Sequence, residues 1–337
     1  MNRYRFLLGY VAVAIVGGGI GGLIVWAAGG SSGSTTVTGA TSAACPAANV
    51  ADEALASVVT VGAGQSSGSG VVIRPGGYIL TNNHVISPAA GVGTVTVLRD
   101  DGEASDAAIV GRDPLTDLAV IRAKDASGLP PIAMGESESL RVGQPVVALG
   151  SPLGLTSSVT SGIVSALNRY VRVPSENGGS AHLVGAIQTD ASINPGNSGG
   201  ALVDCRARLV GINTAGASVS GAGGSIGLGF AIPIDLAKGI ADQLIAGGRV
   251  SRPSFGMQVQ TIAHARLFVQ AVSAGGPADK AGLHRGDIIV EVDGEPASTD
   301  ALIVKTLSMK PGDVVHLKFE RDGTSHTATL TLAAQGA

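Results

Sequence analysis

This sequence has little net charge. Lys and Arg number 22 against 25 Asp and Glu, a net of −3 at neutral pH in 337 residues. That balance supplies no basic field for a phosphate backbone, which excludes a nucleic-acid binder, and no strong field of either sign selects a charged partner. There are six histidines, none at a ligand spacing such as H-E-x-x-H, so no metal site is expected. No cofactor is expected either. One G-x-G-x-x-G string exists, at residues 17–22, but it lies inside an apolar run instead of between a strand and a helix, where a dinucleotide site would need it. Cysteine is restricted to Cys45 and Cys205, a pair that permits one disulfide outside the cytoplasm. Solenoid repeats are absent. Glycine, by contrast, is plentiful at 51 residues with no collagen-like period, as many tight turns between short strands would require.

What is present divides the chain. Residues 6–28 are uncharged and largely apolar, with Arg3 and Arg5 ahead of them. About 20 such residues cross a bilayer as a helix. The flanking arginines place residues 1–5 in the cytoplasm and everything after residue 30 outside it. A cleaved signal peptide is the rival reading, but the run exceeds the usual signal core of roughly 7–15 residues. Residues 29–47 read as a flexible linker, since 31–44 are Gly, Ser, Thr, Ala and Val with no charge and no aromatic and cannot bury enough apolar surface to fold. A short helix is expected over 50–57.

From there to about 235, short apolar runs recur between turn residues. They fall at 70–73, 78–81, 93–98, 107–111, 118–122, 145–150, 159–165, 186–189, 201–203, 209–213 and 227–232. That spacing predicts antiparallel barrels or sandwiches in preference to βαβ units. Residues 234–247 carry apolar side chains at helical spacing and end in Gly-Gly, which predicts a closing helix. A second unit then reads strand, strand, short helix, strand, helix, strand, strand.

Three motifs carry chemistry. Ser198 lies in Asn194-Pro195-Gly196-Asn197-Ser198-Gly199-Gly200. A nucleophilic serine needs a sharp turn, neighbours without Cβ, and free amides aimed at a carbonyl oxygen; Gly196 and Ser198 supply those amides. The stretch also matches G-x-S-x-G, but that elbow requires a following helix and a later His, and strand-like runs follow here. His84 ends an apolar strand in Tyr78-Ile79-Leu80-Thr81-Asn82-Asn83-His84. Asp117 opens another in Asp113-Pro114-Leu115-Thr116-Asp117-Leu118; there a half-desolvated carboxylate suits a His Nδ1–H partner. Asp113 is the rival acid, and its position before Pro114 suits a turn cap. The order His, Asp, Ser is that of chymotrypsin-type proteases.

The strings TNNHV (81–85), TDLAV (116–120) and GNSGG (196–200), with GSGVVI (68–73), INPGNSGGALVD (193–204) and GLGFAIP (227–233), resemble the HtrA/Deg family of serine proteases over roughly residues 50–335. The resemblance implies a mainly β fold: a chymotrypsin-like double β-barrel over 48–248 and a small α+β PDZ domain over 252–335, here preceded by one transmembrane helix. It implies an ATP-independent serine endopeptidase acting in protein quality control and stress response outside the cytoplasm, on protein or peptide substrates. The family's catalytic positions fall on His84, Asp117 and Ser198, and its oxyanion amides on Gly196 and Ser198. GPADKAGLHRGDIIVEVDGEP (276–296) resembles a PDZ domain, whose carboxylate-binding turn then falls on Ser254, Phe255, Gly256 and Met257, with peptide added beside 257–260 against a helix near 299–307. The family often has an aromatic where Ser254 stands. Residues 168–185 correspond to an activation loop. The walls of the specificity pocket, 212–217 and 225–229, are small and apolar, which favours cleavage after small or medium aliphatic residues. Family members are often homotrimers held by N-terminal aromatics, and 45–61 contain none. A PDZ-based scaffold or chaperone with little proteolysis is the alternative reading. Finally, Cys45 and Cys205 both flank the protease core, and a bridge between them would pin the N-terminal arm to the second barrel.

Overall fold

Runs of Val, Ile and Thr separated by Gly-, Pro- and Asp-containing turns become strands because branched side chains suit a pleated, half-buried surface. The computed structural model describes residues 45–337, apart from 92, 152–157, 215–224, 264–265 and 335–337. The expected membrane segment at 6–28, the linker up to residue 44 and the glycine string at 17–22 lie outside the described residues. Among the described residues, no helix is long and apolar enough to cross a membrane.

Helix α1 (Ala47–Ala54) leads into β1 (Val58–Ala63), β2 (Ser66–Arg74) and β3 (Tyr78–Thr81). The helical turn α2 (Asn83–Ile86) follows, then β4 (Val95–Leu98), β5 (Ala104–Asp113) and β6 (Leu118–Ala123). These six strands close into an antiparallel barrel in the order β1-β2-β3-β6-β5-β4. A second barrel is built from β7 (Pro145–Gly150), β8 (Ser158–Pro174), β9 (Ser180–Thr189), β10 (Ala201–Val203), β11 (Leu209–Thr214) and β12 (Gly229–Pro233). It closes in the order β10-β11-β12-β9-β8-β7. Closure leaves neither sheet an open edge.

Helix α3 (Ile234–Gly247) buries Ala237, Ile240, Ala241 and Leu244 at three- and four-residue spacing. Those side chains join Leu80, Leu118 and Val120 of the first barrel and Leu149, Ala201 and Ile212 of the second in one cluster. The helix therefore seals the seam between the barrels, and a buried Leu such as Leu244 contributes roughly 1.5–3 kcal/mol to that seal. It stops at Gly248, whose φ of 71° lets its N–H return to Leu244 O, as a left-handed C-terminal glycine does.

The C-terminal unit contains β13 (Pro253–Ser254), β14 (Met257–Ala263), β15 (Arg266–Val272), α4 (Pro277–Lys280), β16 (Ile288–Val292) and β17 (Glu295–Pro296). It ends with α5 (Thr299–Ser308), β18 (Val314–Arg321), β19 (Thr324–Thr331) and β20 (Ala333–Ala334). Ser298 caps α5 by accepting the Ala301 N–H. The sheet runs β14-β15-β16-β18-β19, so β14 lies at its edge. Arg252, in the connection from α3, forms an ion pair with buried Asp113 at the end of β5.

Two expectations about the strands change. Strand β1 was not anticipated. Residues 168–185, expected as a loop, are mostly the ends of a long β8–β9 hairpin turned by a 3-10 segment at Glu176–Gly178. Three register shifts along β8 twist that hairpin, and such irregularities scramble the period-2 pattern that marks a strand in sequence. The hairpin packs on α5: burial first, then the Asp300 carboxylate, pushes the Tyr170 hydroxyl up to about 12. Tyr170 also meets His182 Nδ1 at 2.7 Å, and burial followed by Arg172 lowers the His182 imidazole.

Candidate active site

His84 is carried by α2, not at a strand end as its sequence context suggested. The turn begins where β3 runs out at Thr81, and its backbone is tied to Asp117. The Asn83 N–H donates to Asp117 O at 3.1 Å, and Asn82 Nδ2 donates to the same oxygen at 2.9 Å. The His84 N–H donates to Asp117 Oδ1 at 2.9 Å, and His84 Nδ1 lies 2.8 Å from Asp117 Oδ2. Thr214 Oγ1, from the second barrel, donates to that same Oδ2 at 3.2 Å. Asp117 itself adopts φ of 57°, a left-handed conformation that Asp tolerates better than most residues. The Asp117 side chain is 4% exposed and that of His84 37%. An imidazole open on one side and hydrogen-bonded to a buried carboxylate on the other is an oriented base.

Ser198 sits at the barrel interface and is 4% exposed. Its carbonyl accepts the Ser69 N–H at 2.8 Å. Ser69 Oγ donates to Gly196 O at 2.6 Å and accepts the Ser151 N–H at 2.8 Å. One serine of β2 thus fixes the turn on both sides of the nucleophile candidate. Gly68 marks how close the two halves of the candidate site come: a Cβ there would stand 2.6 Å from Val85, the neighbour of His84, and 3.0 Å from Ser198 O. Gly199 has φ of 83°, and a Cβ at that position would stand 2.1 Å from Ser69 O, so only glycine fits. Its N–H donates to Asn213 O at 2.8 Å. Among the described residues, neither the Gly196 nor the Ser198 N–H has an acceptor in the protein. Two unspent amides at a tight turn are suited to an incoming oxyanion.

The structure therefore brings His84, Asp117, Ser198 and Gly196 to one interface. Asp113, the rival acid, accepts from Thr116 Oγ1 and pairs with Arg252 instead. Asp204 is turned away, held by Arg208 at 2.6 Å. Cys45 and Cys205 are joined as a disulfide with Cα atoms 5.1 Å apart. Asn82 and Asn83 were missed as site residues; Thr214, expected only within a wall of the specificity pocket, also bonds Asp117 across 97 residues, a role no short-range pattern could have marked. Among the described residues, no cluster of His, Cys, Asp or Glu could hold a metal ion.

This geometry has known counterparts. Residues 68–212 match the family described as trypsin-like peptidase domain, and residues 253–332 match the PDZ domain. The chain is 44% identical to serine protease PepD of Mycobacterium tuberculosis, an alignment covering 96% of this chain and 77% of PepD. The chain belongs to the HtrA-type serine proteases. A probable periplasmic serine endoprotease of the DegP-like group from Halomonas elongata is 40% identical over 80% of this chain and 56% of its own length. Among solved structures, the HtrA-type protease AlgW with decapeptide superposes with TM-score 0.66 and 32% identity, covering 86% of this chain and 99% of AlgW. The serine endoprotease from Yersinia pestis gives TM-score 0.63 and 36% identity, over 86% and 98% of the two chains. Within HtrA-type architecture, the two barrels are the peptidase and the C-terminal unit is the PDZ domain.

Proposed function

We propose that this HtrA-type protein is an endopeptidase of the extracytoplasmic space that hydrolyses peptide bonds through an acyl-enzyme on Ser198. The observation that carries the reading is the bond of His84 Nδ1 to buried Asp117 at 2.8 Å, with the Ser198 turn held beside it. Asp117 fixes the His84 tautomer and stabilises the imidazolium. His84 takes the Ser198 Oγ proton as Oγ attacks the carbonyl carbon, then gives it to the leaving amine. The Gly196 and Ser198 amides hold the oxyanion. Water then attacks the ester, returning the acid product and the Ser198 hydroxyl. No step uses a nucleotide, so proteolysis is ATP-independent. With Asp204 spent on Arg208 and Ile193 packed against Gly229, the specificity pocket takes small or medium aliphatic side chains of misfolded or selected proteins. Casein digestion tests the reading: equal cleavage by the parent chain and by Ser198→Ala overturns it.

The Ser254–Met257 turn is the carboxylate site of the PDZ domain. There the Gly256 N–H donates to Ser254 Oγ at 3.0 Å, a bond that an incoming carboxylate replaces, and β14 has an open edge to which a peptide strand adds. A peptide with a free apolar C-terminus is expected to bind at least tenfold more tightly than its C-terminal amide, since amidation removes a charge-assisted hydrogen bond of roughly 1.5–3 kcal/mol. Calorimetric titration reads this, and equal affinities for acid and amide would contradict the site.

Residues 6–28 anchor the chain with both domains outside the cytoplasm. The protein is expected to remain with membranes in high salt, because an uncharged span of this length is held by apolar burial and not by charge. N-terminal sequencing that finds mature protein starting near Gly29 would replace the anchor with a cleaved signal.

A further inference from the structure

Arg112, next to last in β5, is bonded at both ends of its guanidinium. Its Nε donates to Asn83 Oδ1 at 2.9 Å, and its Nη2 reaches the Glu176 carboxylate. The two partners come from different places. Asn83 is the residue before His84, fully buried, with its N–H on Asp117 O. Glu176 is on the 3-10 turn at the tip of the β8–β9 hairpin, in the other barrel.

Asn83 has little else to hold its side chain. Its Nδ2 is buried without a partner among the described residues, so the bond from Arg112 sets the orientation of its amide. A long arginine side chain loses much of its rotamer freedom when fixed, and one bond to a neutral amide does not offset that. The second bond, to Glu176, is charge-assisted. It is also poorly screened, since the Arg112 and Glu176 side chains are 20% and 27% exposed. The rigid fork of a guanidinium lets one residue serve both acceptors.

We propose that Arg112 is a positioning residue for His84: it fixes Asn83, and with it the turn α2, and Glu176 of the second barrel is the brace that keeps Arg112 in place. The inference rests on the reading of His84 as the general base. Asn83 has the Asp117 carbonyl on its N–H, the Ser87 N–H on its carbonyl and Arg112 on its side chain, so freeing Arg112 loosens the side-chain tie of the residue that precedes the imidazole. Substrate contacts are not touched, so the effect belongs to kcat.

The test uses the full chain and fluorescein-labelled casein, with thermal melting and the rate of labelling by a small fluorophosphonate measured alongside. Parent activity with none in Ser198→Ala upholds the catalytic reading independently of Arg112. Arg112→Gln is expected to lower kcat about 10- to 100-fold at unchanged KM, the scale of a misplacement of about 1 Å in a catalytic group, and to slow fluorophosphonate labelling in parallel. Arg112→Lys restores only part of this, because one ammonium cannot span both acceptors. Glu176→Gln, on a partly exposed turn where folding is not at stake, is expected to lower kcat by about three- to tenfold at unchanged melting temperature. A Glu176→Gln enzyme within about twofold of the parent in kcat, or an Arg112→Gln effect confined to KM, overturns the proposal.

Discussion

Ser198→Ala is expected to lower casein cleavage by on the order of 10⁶, about 8 kcal/mol of transition-state stabilisation, and to leave the melting temperature within a degree or two of the parent. Both halves follow from the site. Among the described residues, Ser198 Oγ has no hydrogen-bond partner, so its removal orphans no buried group and leaves only a hydroxyl-sized space. The turn keeps its shape because its ties are main-chain atoms: Ser198 O to Ser69 N and Gly199 N to Asn213 O. What disappears is the atom that attacks. His84 and Asp117 have nothing to activate without it, which is why members of such a set act as one unit and their losses do not add. Residual activity within a hundredfold of the parent, in protein free of other proteases, would sink the acyl-enzyme mechanism.

Why Ser198 was readable from sequence while its supports were not is a matter of distance along the chain. Gly199 announces itself, since the positive φ and the 2.1 Å approach to Ser69 O admit no other residue. His84 and Asp117 lie next to strands whose apolar runs are unbroken. Strands β3, β7 and β10 and helix α3 begin and end where turn residues and periodicity place them. Strand β1 hid because Val58–Ala63 is buried along almost its whole length, and a strand buried on both sides does not alternate. The β8–β9 hairpin hid for the opposite reason. Its outer half is largely exposed or half-exposed, so polar and apolar residues mix as they do in loops. Ser69, Thr214 and Arg112 act across 127, 97 and 64 residues respectively; only the closed barrels bring them to the site, and no window on the sequence contains both partners.

Asp117→Asn is expected to lower kcat by about 10⁴ with the fold intact. Asparagine has the shape of aspartate, and its Oδ1 can keep the His84 N–H that Asp117 Oδ1 now accepts at 2.9 Å. Its Nδ2 then occupies the position of Oδ2, facing His84 Nδ1 and Thr214 Oγ1. Thr214 can rotate its hydroxyl and accept instead of donate, so that contact survives. The imidazole has no such freedom without cost. An amide N–H pointing at Nδ1 demands an unprotonated Nδ1, which moves the ring proton to Nε2, the nitrogen that must receive the Ser198 proton. The base is then present, correctly placed and in the wrong tautomer. Fluorophosphonate labelling of Ser198 should slow by a comparable factor, because acylation of the serine requires the same proton transfer, while peptide binding at the PDZ domain and the melting temperature should stay near the parent values. The loss should remain smaller than that of Ser198→Ala, since the nucleophile and the Gly196 and Ser198 amides are still in place. An Asp117→Asn enzyme within tenfold of the parent would mean that the carboxylate only shapes the turn around His84, and that another group sets the ring proton.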